Sequence, residues 1–425
     1  MFIQIHMLQS MPPGNLNRDN TGQPKKCIFG RVTRARISSQ CLKRNIRHSR
    51  HFKEAFGDAL ANRTTYLPRM VADELKNLDS TISDDELQKI KATLASKFKK
   101  EKGGRSEEAE DESEGEAETR SDSAPSDGPD ETGQLVFFPE PFATEIAKLI
   151  ADLRTKKSAV YSAWIDGKKK KKAKKDEKDN EDKKGKDDVK AFEHEIFKKS
   201  QTLTVDIALF GRMTTSDLVA NVEASCQLAH AISTHEAFIE SDWFTAMDDK
   251  KADFATTQTE LAGARFIGSG EQETYFDSAV YYKYLNLDVD ALKTHLTWDN
   301  EKSAQAAAVL LEAAARVNPT GKQNSFAAHG VPELILVEVS KPKFPISYAN
   351  AFLRPVEGSD LMAESAKAME TYVDSVAEAF SPPDMRRVLL AINSASVDMA
   401  GANRVNTLAA LVSSLAELVK KGDAA

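Results

Sequence analysis

DSAVYYKYLNL (277–287), DNEKSAQAAAVLLEAAAR (299–316) and ELILVEV (333–339) follow one another in the chain and decide its fold. The first and last stretches are rich in aromatic or β-branched residues, which predicts two strands. The alanine-rich stretch between them predicts a helix. A strand, a helix and a further strand in this order indicate a mixed α and β domain.

The beginning of the chain supplies another strand and another helix. FIQIHML (2–8) alternates in the way that predicts a strand. Residues 10–36 hold several prolines and glycines, which predicts a long basic loop. Ser38 and Ser39 predict the N-cap of a helix that runs to about Phe52.

The middle of the chain completes the pattern. TLTVDIALF (202–210) alternates as a strand, and residues 217–233 are apolar enough for a strand or a helix. Residues 236–276 are polar and predict a large excursion. The order is then strand, helix, two middle strands, helix and last strand, which is that of a ferredoxin-like or RRM-like domain. We therefore predict an α+β fold. Further helices are predicted at 141–164, 359–380 and 404–420.

Composition excludes several classes of protein. The 425 residues allow two or three domains, or one domain with insertions. No run of about 18 apolar residues predicts a membrane span, and MFIQIHMLQS lacks the regions of a secretory signal. The three cysteines are widely spaced and form neither a CxxC pair nor a disulfide framework, which favours a cytoplasmic protein.

Two charged tracts are predicted to be disordered loops. Residues 101–133 hold thirteen acidic and three basic residues. GKKKKKAKKDEKDNEDKKGKDD (167–188) has a single apolar residue, Ala173. Neither tract can offset its ordering entropy by burial. A nucleic-acid tether is the alternative for the lysine tract, although its interleaved acids weaken that interpretation.

Positive charge is concentrated near the start of the chain. Residues 1–50 carry ten basic residues against one acid, Asp19, although the whole chain has a formal net charge of -7. The predicted helix places Lys43 and Arg47 on a basic stripe beside its apolar stripe. A basic loop followed by a basic helix suits backbone phosphates, and we favour this interpretation over a merely solvated basic surface.

Other candidate sites are weaker. Trp243 and Phe244 are adjacent aromatics in a polar stretch, where they can stack on bases or form a small satellite core. His230 and His235 are five residues apart and complete no metal site, so we interpret them as structural. Cys41 lies beside the apolar stripe and is interpreted as a buried free thiol.

Six motifs occur in the order found in one protein family. They are NLNRD (15–19), IFGRVTRARISSQCLKR (28–44), DIALFGRMTTSD (206–217), AHAISTHEAFIESDWFTAMDD (229–249), KQNSFAAH (322–329) and SYANAF (347–352). Together they resemble the CasC-type backbone subunit of the type I-E CRISPR Cascade complex, in the RAMP superfamily and the CT1975-like family. The resemblance covers residues 1–355, and SSQ-LKR with DWFTA-DD is its most specific part.

The resemblance implies a non-catalytic RNA-binding scaffold shaped like a hand. Copies of the chain, usually six, bind one CRISPR RNA (crRNA) with CasA, CasB, CasD and CasE subunits and present the guide to target DNA. Each thumb flips out one nucleotide at regular intervals. No cofactor, metal or membrane is implied. The implied parts are an RRM-like palm (1–52, 200–235 and 277–355), helical fingers (53–199), a thumb (236–276) and a helical C-terminal region (356–425).

The resemblance also assigns RNA contacts. Loop and helix residues match those that hold the guide backbone, Met213 matches an apolar residue that packs against bases, and the thumb tip matches the residues at the kink. The implied contacts are Asn17, Arg18, Lys25, Ser38, Gln40, Lys43, Arg44, Arg47, Met213, Trp243, Phe244, Thr245, Lys322 and Gln323.

Three alternatives remain open at this point. Some related subunits of type III complexes cut RNA with an aspartate after the first strand, and Asp19 lies in a comparable stretch. A guide-processing nuclease needs a histidine near the RNA, for which His48 or His51 is available. A generic single-strand binder acting alone is the third.

Overall fold

The computed structural model of the chain describes residues 1–57, 60–98, 130–166, 179–214, 216–242, 274–380, 384–392 and 397–422. Within these ranges, no helix is both long and apolar enough to cross a membrane.

Strands and helices alternate irregularly along the described chain. The strands are β1 (Phe2–Gly14), β2 (Lys26–Phe29), β3 (Val32–Ile37), β4 (Ala61–Thr64), β5 (Val136–Pro139), β6 (Cys226–Leu228), β7 (Ala231–Ser233), β8 (Glu240–Asp242), β9 (Thr274–Asp288), β10 (Pro332–Ser340), β11 (Arg386–Ala391) and β12 (Ala402–Val405). The helices are α1 (Ser39–Arg47), α2 (Arg50–Phe56), α3 (Leu67–Leu78), α4 (Asp84–Ser96), α5 (Pro141–Lys156), α6 (Ser158–Asp166), α7 (Asp179–Ser200), α8 (Val205–Phe210), α9 (Val289–Leu296), α10 (Asn300–Arg316), α11 (Gln323–Phe326), α12 (Leu361–Phe380) and α13 (Leu408–Lys421), with a 3-10 helix at Tyr348–Phe352.

Strand β1 lies at the centre of one large sheet, between β9 and β10. Ile5 faces Leu285 of β9 and Val337 of β10 in the two antiparallel ladders. On its far side, β9 pairs with β6 and β7, which are also antiparallel to it. Helices α1 and α2 connect β1 to β6, and α10 connects β9 to β10. This is the ferredoxin-like order, and the predicted α+β fold is confirmed.

Both faces of this sheet are covered, so side chains on both sides of its central strands are buried. On the inner face, Ile3, Ile5 and Met7 belong to the apolar cluster formed with helices α1, α2, α10 and α13. On the outer face, Leu8 and its neighbours pack against the 3-10 helix and α12. At about 1.5–3 kcal/mol for each large apolar side chain, these two layers dominate the stability of the palm.

The prediction of a long loop at residues 10–36 is wrong over much of that range. Strand β1 continues to Gly14, and its pairing with β9 shifts register after Met11. This irregularity accommodates Pro12 and Pro13, whose missing N–H groups exclude them from a regular ladder. The prolines therefore mark a bulge in a strand.

Strands β2 and β3 form a hairpin inside the predicted loop. Its two turn residues, Gly30 and Arg31, have φ angles of 63° and 70°. Positive φ at both positions is the geometry of a tight hairpin turn. A Cβ atom on Gly30 would overlap the carbonyl oxygen of Leu353, so the turn packs closely against the segment that follows the 3-10 helix.

Two other sequence predictions need correction. The helix expected to run from Ser39 to Phe52 is divided at Ser49, whose hydroxyl caps α2 by accepting a hydrogen bond from the Phe52 N–H group. The strand predicted at residues 202–210 is wrong, because helix α8 occupies Val205–Phe210. This helix is buried on nearly every side, and such a short apolar run fits the period of a strand or of a helix. Part of the apolar stretch 217–233 forms β6 and β7.

Helices α3 to α7 and the two-stranded ribbon β4–β5 form a second apolar cluster. Val71, Ile90, Ile146 and Phe192 all contribute to it. Arg154 of α5 also joins the two preceding helices, with its Nη1 atom 2.7 Å from a carboxylate oxygen of Asp79. Most of this cluster lies within the range predicted as fingers, and Leu218 and Val219 join it from further along the chain.

The C-terminal region contains strands as well as the two predicted helices. Strand β11 extends the palm sheet beyond β10, and β12 pairs with β11 in parallel. Arg387 of β11 binds the buried carboxylate of Glu338 on β10 at 2.6 Å. This ion pair joins the region to the sheet.

Both charged tracts extend partly into the described structure. Residues 179–188 form the first half of α7, and residues 130–133 include the buried Thr132. The prediction of disorder therefore reaches too far at the C-terminal end of each tract, because α7 begins at Asp179 and the Thr132 hydroxyl donates to the Thr65 and Gln134 carbonyls. Residues 101–129 and 167–178 lie outside the described residues.

Candidate nucleic-acid interface

Helix α1 presents cations from the inner side of the palm. The Ser38 hydroxyl caps it by accepting a hydrogen bond from the Cys41 N–H group at 3.3 Å. Leu42 belongs to the inner apolar cluster. On the other side of the helix, Lys43 is half-buried and Arg44 is exposed. The spacing of apolar and basic residues therefore places two positive charges at the surface.

The loop before α1 is attached to the helix through Asn17. The Asn17 Oδ1 atom accepts a hydrogen bond from the Ser38 N–H group at 2.8 Å, and its carbonyl accepts one from the Lys25 N–H group. Asn17, Lys25 and Ser38 are buried. Gln40 is partly exposed and accepts a hydrogen bond from Ser39. These residues shape the loop and the start of α1, and direct RNA contact by them stays a prediction.

Arg47 does not line the exposed surface predicted for it. It is buried, and its Nε atom lies 3.0 Å from a carboxylate oxygen of Asp206. Its Nη2 group donates to the Ala61 carbonyl at 3.1 Å, and the guanidinium lies 4.2 Å from the ring centroid of Phe137. Arg47 therefore joins α1 to α8 and the β4–β5 ribbon, and the structure gives it a packing role.

Arg34 is a second basic residue with a structural role. Its side chain is fully buried and donates to three carbonyl groups, those of Phe29, Ser233 and Phe352, at 3.1, 3.1 and 2.7 Å. These bonds join the β2–β3 hairpin to β7 and to the 3-10 helix. Arg34 is one of the ten basic residues in positions 1–50, but its burial removes it from the surface.

The basic surface is smaller than the count of ten residues indicates. Lys25, Arg34 and Arg47 are buried, and Arg50 lies 2.6 Å from Glu54. Lys26 and Arg31 of the hairpin are exposed and were not among the implied contacts; a glycine-arginine turn between two short alternating segments is the sequence signal for them. Apart from Arg50, the basic residues of positions 1–50 that are at least partly exposed are Arg18, Lys26, Arg31, Arg36, Lys43 and Arg44.

Met213 is held at the surface near α1. Its side chain is 70% exposed. The preceding Arg212 donates to three backbone carbonyls, and burial lowers the pKa of its guanidinium to about 10. The Lys43 Nζ atom lies 6.0 Å from the ring centroid of Phe210, three residues before Met213. An exposed apolar side chain on a fixed backbone suits the base contact predicted for it.

Lys322 and Gln323 lie in a loop that packs against the Asn17 region. Gln323 donates through its Nε2 atom to two carbonyls of its own loop, at 2.9 and 3.1 Å, so it stabilises the loop. A Cβ atom on Gly321 would lie 2.5 Å from the Leu16 carbonyl oxygen. Lys322 is partly exposed, and this packing places it beside the basic loop.

The predicted thumb residues Trp243, Phe244 and Thr245 lie outside the described residues. The strands on either side of them are described, since β8 ends at Asp242 and pairs with the first residues of β9. The chain therefore leaves and re-enters the sheet at neighbouring positions. The role assigned to the thumb tip stays a prediction.

Asp19 is engaged by its own loop. Its Oδ1 atom accepts hydrogen bonds from the N–H group and the hydroxyl of Thr21, at 2.9 and 2.7 Å, and from the Gln23 N–H group at 3.1 Å. This arrangement is a side-chain-stabilised turn. In the described ranges, no three or more His, Cys, Asp or Glu residues are grouped so that they could hold a metal ion.

Two of the other candidates, His235 and Cys41, have structural surroundings. The His235 Nε2 atom accepts a hydrogen bond from the Val280 N–H group at 3.1 Å, which leaves the Nδ1–H group to donate to the Glu236 carbonyl. Burial lowers the pKa of His235. Burial also raises the pKa of the Cys41 thiol to about 11, which keeps it protonated and unreactive at neutral pH.

The outer face of the sheet is closed by a buried polar network. Glu338 accepts hydrogen bonds from Tyr348 and Arg387, and His6 lies 3.3 Å from it. Burial by itself raises the pKa of Glu338, but His6 and Arg387 together hold it below its ordinary value. RRM domains stack bases on this face of their sheet. Here it is filled by protein side chains, so the exposed cations near α1 form the better candidate site.

Comparisons with known proteins agree with this architecture. The family model described as CT1975-like protein matches residues 3–421. A solved chain from a "CRISPR RNA-guided surveillance complex, pre-nicking" is 26% identical, with a TM-score of 0.71 over 99% of this chain and 100% of that one. A chain from another "CRISPR RNA-guided surveillance complex" shares the fold at 22% identity and a TM-score of 0.63, over 98% and 99% of the two chains. No curated protein sequence matches the chain.

Proposed function

The chain belongs to the CT1975-like protein family, and on this premise we propose that it is a backbone subunit of an RNA-guided CRISPR surveillance complex of type I-E. Several copies bind one crRNA and present its bases to target DNA. The observation that carries the proposal is the set of exposed cations on and beside α1, in a fold shared over almost the whole chain with a surveillance-complex chain.

The chemistry of these cations fits an RNA backbone. Lys43 and Arg44 stand on a rigid helix that Ser38 caps, and Lys26 and Arg31 extend from the neighbouring hairpin. Lysine and arginine neutralise phosphates without reading the base sequence. One protein surface can therefore hold any guide, while base pairing supplies the specificity for the target.

The closed outer face of the sheet supports the same placement of the RNA. Tyr348 and Phe352 of the 3-10 helix, together with Met369 of α12, are buried on that face. Binding RNA there requires displacement of this apolar layer, which costs several kcal/mol. The face that carries α1 needs no such rearrangement. We place the guide along α1, the Asn17 loop and Lys322.

The thumb completes the proposed assembly. Trp243, Phe244 and Thr245 flip one nucleotide out of the stack at regular intervals, and each thumb folds toward the next copy of the chain. Adjacent aromatics are suited to this because they can take the place of a stacked base. The other partners are the CasA-, CasB-, CasD- and CasE-type subunits of the complex.

We also propose that the chain has no catalytic activity of its own. The alternative, an endoribonuclease of the type III kind, depends on Asp19 as the reactive carboxylate. The hydrogen bonds that Asp19 accepts from Thr21 and Gln23 give it a structural role in the basic loop. Substitution of Asp19 should therefore disturb the loop. RNA cleavage should be absent from the parent and from the variant alike.

The experiment is co-purification of the guide. The chain is expressed with a CRISPR array and the partner subunits, and the particle is analysed for size and RNA content. Reversing two charges, Lys43→Glu with Arg44→Glu, should remove most of the guide. The matched control reverses two exposed lysines elsewhere, Lys341→Glu with Lys367→Glu, and should retain it.

Two measurements decide the outcome: the amount of guide RNA retained and the salt dependence of RNA affinity. Neutral variants, Lys43→Gln with Arg44→Gln, should lower the slope of log affinity against log salt by about 1.4, because each lost phosphate contact on a single strand contributes about 0.7. Guide retention by the reversed variant at the level of the parent would contradict the proposal.

A further inference from the structure

Three exposed apolar side chains lie near the candidate interface and outside both apolar cores. Met213 is 70% exposed, and Leu135 and Tyr66 are each 46% exposed. Large apolar residues that are exposed close to one another indicate an interaction surface. Leu135 and Tyr66 have no assigned role; Tyr66 follows β4 and Leu135 precedes β5, at the end of the ribbon where Thr64 pairs with Val136.

Hydrogen bonds fix the segment of Met213 alongside strand β5. Arg212 donates through its Nη1 group to the Phe137 carbonyl at 3.2 Å. Two residues further along, Thr214 accepts a hydrogen bond from the Gln134 side chain at 3.1 Å. The two segments therefore run side by side between these bonds, and Met213 and Leu135 both lie in that interval.

Thr132 joins the two strands at this end of the ribbon. Its N–H group donates to the Thr65 carbonyl at 2.8 Å, and its hydroxyl donates to the Gln134 carbonyl at 2.7 Å. Tyr66 directly follows Thr65, and Leu135 directly follows Gln134. The hydrogen bonds of the buried Thr132 thus fix the backbone next to Tyr66 and Leu135.

Leu135 directly precedes β5 and lies outside the finger core. Val136 and Phe138 belong to that core, so Phe137 points to the opposite face. On that face, the Arg47 guanidinium of α1 covers the Phe137 ring. Leu135, two residues before Phe137, is left exposed.

We infer that Met213, Leu135 and Tyr66 form an apolar shelf that packs against unpaired bases of the RNA strand whose phosphates lie on α1. The inference rests on the proposed function. An apolar surface that continues a cationic helix is complementary to a nucleic-acid strand, which presents apolar ring faces beside its phosphates.

The test is Leu135→Ser combined with Tyr66→Ser in the complete complex. Removing an apolar base contact should weaken guide binding about fivefold or more, with the salt slope unchanged because no phosphate contact is lost. Reactivity of the guide bases toward dimethyl sulfate should rise at regular positions. Phe380→Ser changes another exposed side chain, 66% exposed on α12, and is the matched control. Leu135→Met keeps an apolar contact and should behave like the parent.

Each result decides the inference. Parent-like affinity and parent-like base reactivity in the double-serine variant would overturn the shelf and leave the proposed function standing. A variant that keeps its guide but falls apart into smaller particles would identify the shelf as a contact between proteins, which also overturns it. A parent complex without RNA would overturn the proposed function and the shelf together.

Discussion

Asp206→Asn removes one negative charge from the buried junction between α1, α8 and the β4–β5 ribbon, and we expect it to destabilise the palm strongly. Asp206 is 1% exposed and its partner Arg47 is 8% exposed, so the guanidinium cannot turn into water when the charge disappears. The carboxylate also accepts hydrogen bonds from the N–H groups of Ala61 and Ile207. The single amide oxygen of asparagine cannot replace all of these contacts.

The magnitude follows from the cost of leaving a buried cation alone. Removing one partner of a buried ion pair costs about 3–5 kcal/mol in the free energy of unfolding. For a unit of 150–250 residues, about 1 kcal/mol corresponds to 2–4 °C in the melting temperature, so the expected fall is about 6–20 °C. Arg47→Ala should cost a similar amount, because it leaves the carboxylate unpaired and removes the contact with Phe137.

The compensating variant is Arg47→Met with Asp206→Leu. It replaces the ion pair by apolar side chains, and such replacements are often neutral or stabilising. Thermal unfolding followed by near-ultraviolet circular dichroism should show most of the lost stability restored. Because we assign Arg47 a packing role, this variant should still retain the guide RNA.

Two results would refute this reasoning. A melting temperature of Asp206→Asn within about 2 °C of the parent would show that the pair is not buried in solution. A double variant that melts like the parent but loses its guide would show that Arg47 contacts RNA, as the sequence resemblance implies.

Three further variants test other parts of the structure. Gly30→Ala places a methyl group against a backbone carbonyl, so hydrogen exchange of the hairpin should accelerate; unchanged exchange contradicts the turn geometry. Burial lowers the pKa of Lys283 from 10.5 to about 7. The destabilisation caused by its charge is complete below pH 7 and absent above pH 10.5, so the melting temperature of the parent should rise across that window relative to Lys283→Met. Deleting residues 101–129 should leave assembly unchanged in gel filtration, whereas deleting 101–133 should impair it because Thr132 is buried; equal effects would contradict this.

The central strands and crossover helices could be predicted because their local pattern and their packing agree. FIQIHML (2–8), the alanine-rich stretch 299–316 and ELILVEV (333–339) each form the element that their local pattern predicts. The residues that separate them contain turn formers.

The errors occur where tertiary contacts override local signals. Residues 202–210 alternate like a strand but form a short helix buried on several sides. Pro12 and Pro13 predict a loop, yet they lie in the irregular part of a strand that β9 continues to support. Strands β11 and β12 depend on a sheet edge that is distant in sequence, so no local pattern reveals them.

The basic character of the candidate site could be predicted from the sequence, but which of its basic residues are exposed could not. The excess of basic residues before position 50 correctly located the basic surface near α1. Charge alone does not distinguish Arg44, which is exposed, from Arg34 and Arg47, which are buried among partners that are distant in sequence. Leu135 shows no sequence signal at all, because its exposure follows from the bonds that fix the end of the ribbon.

The pairing of β8 with the start of β9 has a consequence for how such a protein can evolve. Asp242 and Thr274 are partners in one ladder, so the chain between them begins and ends about 5 Å apart whatever its length. Doubling the length of a flexible loop with fixed ends costs only about 0.6 kcal/mol. Lengthening, shortening or replacing this segment therefore leaves the sheet intact. In this respect the palm tolerates changes in its insertions at little cost in the free energy of folding.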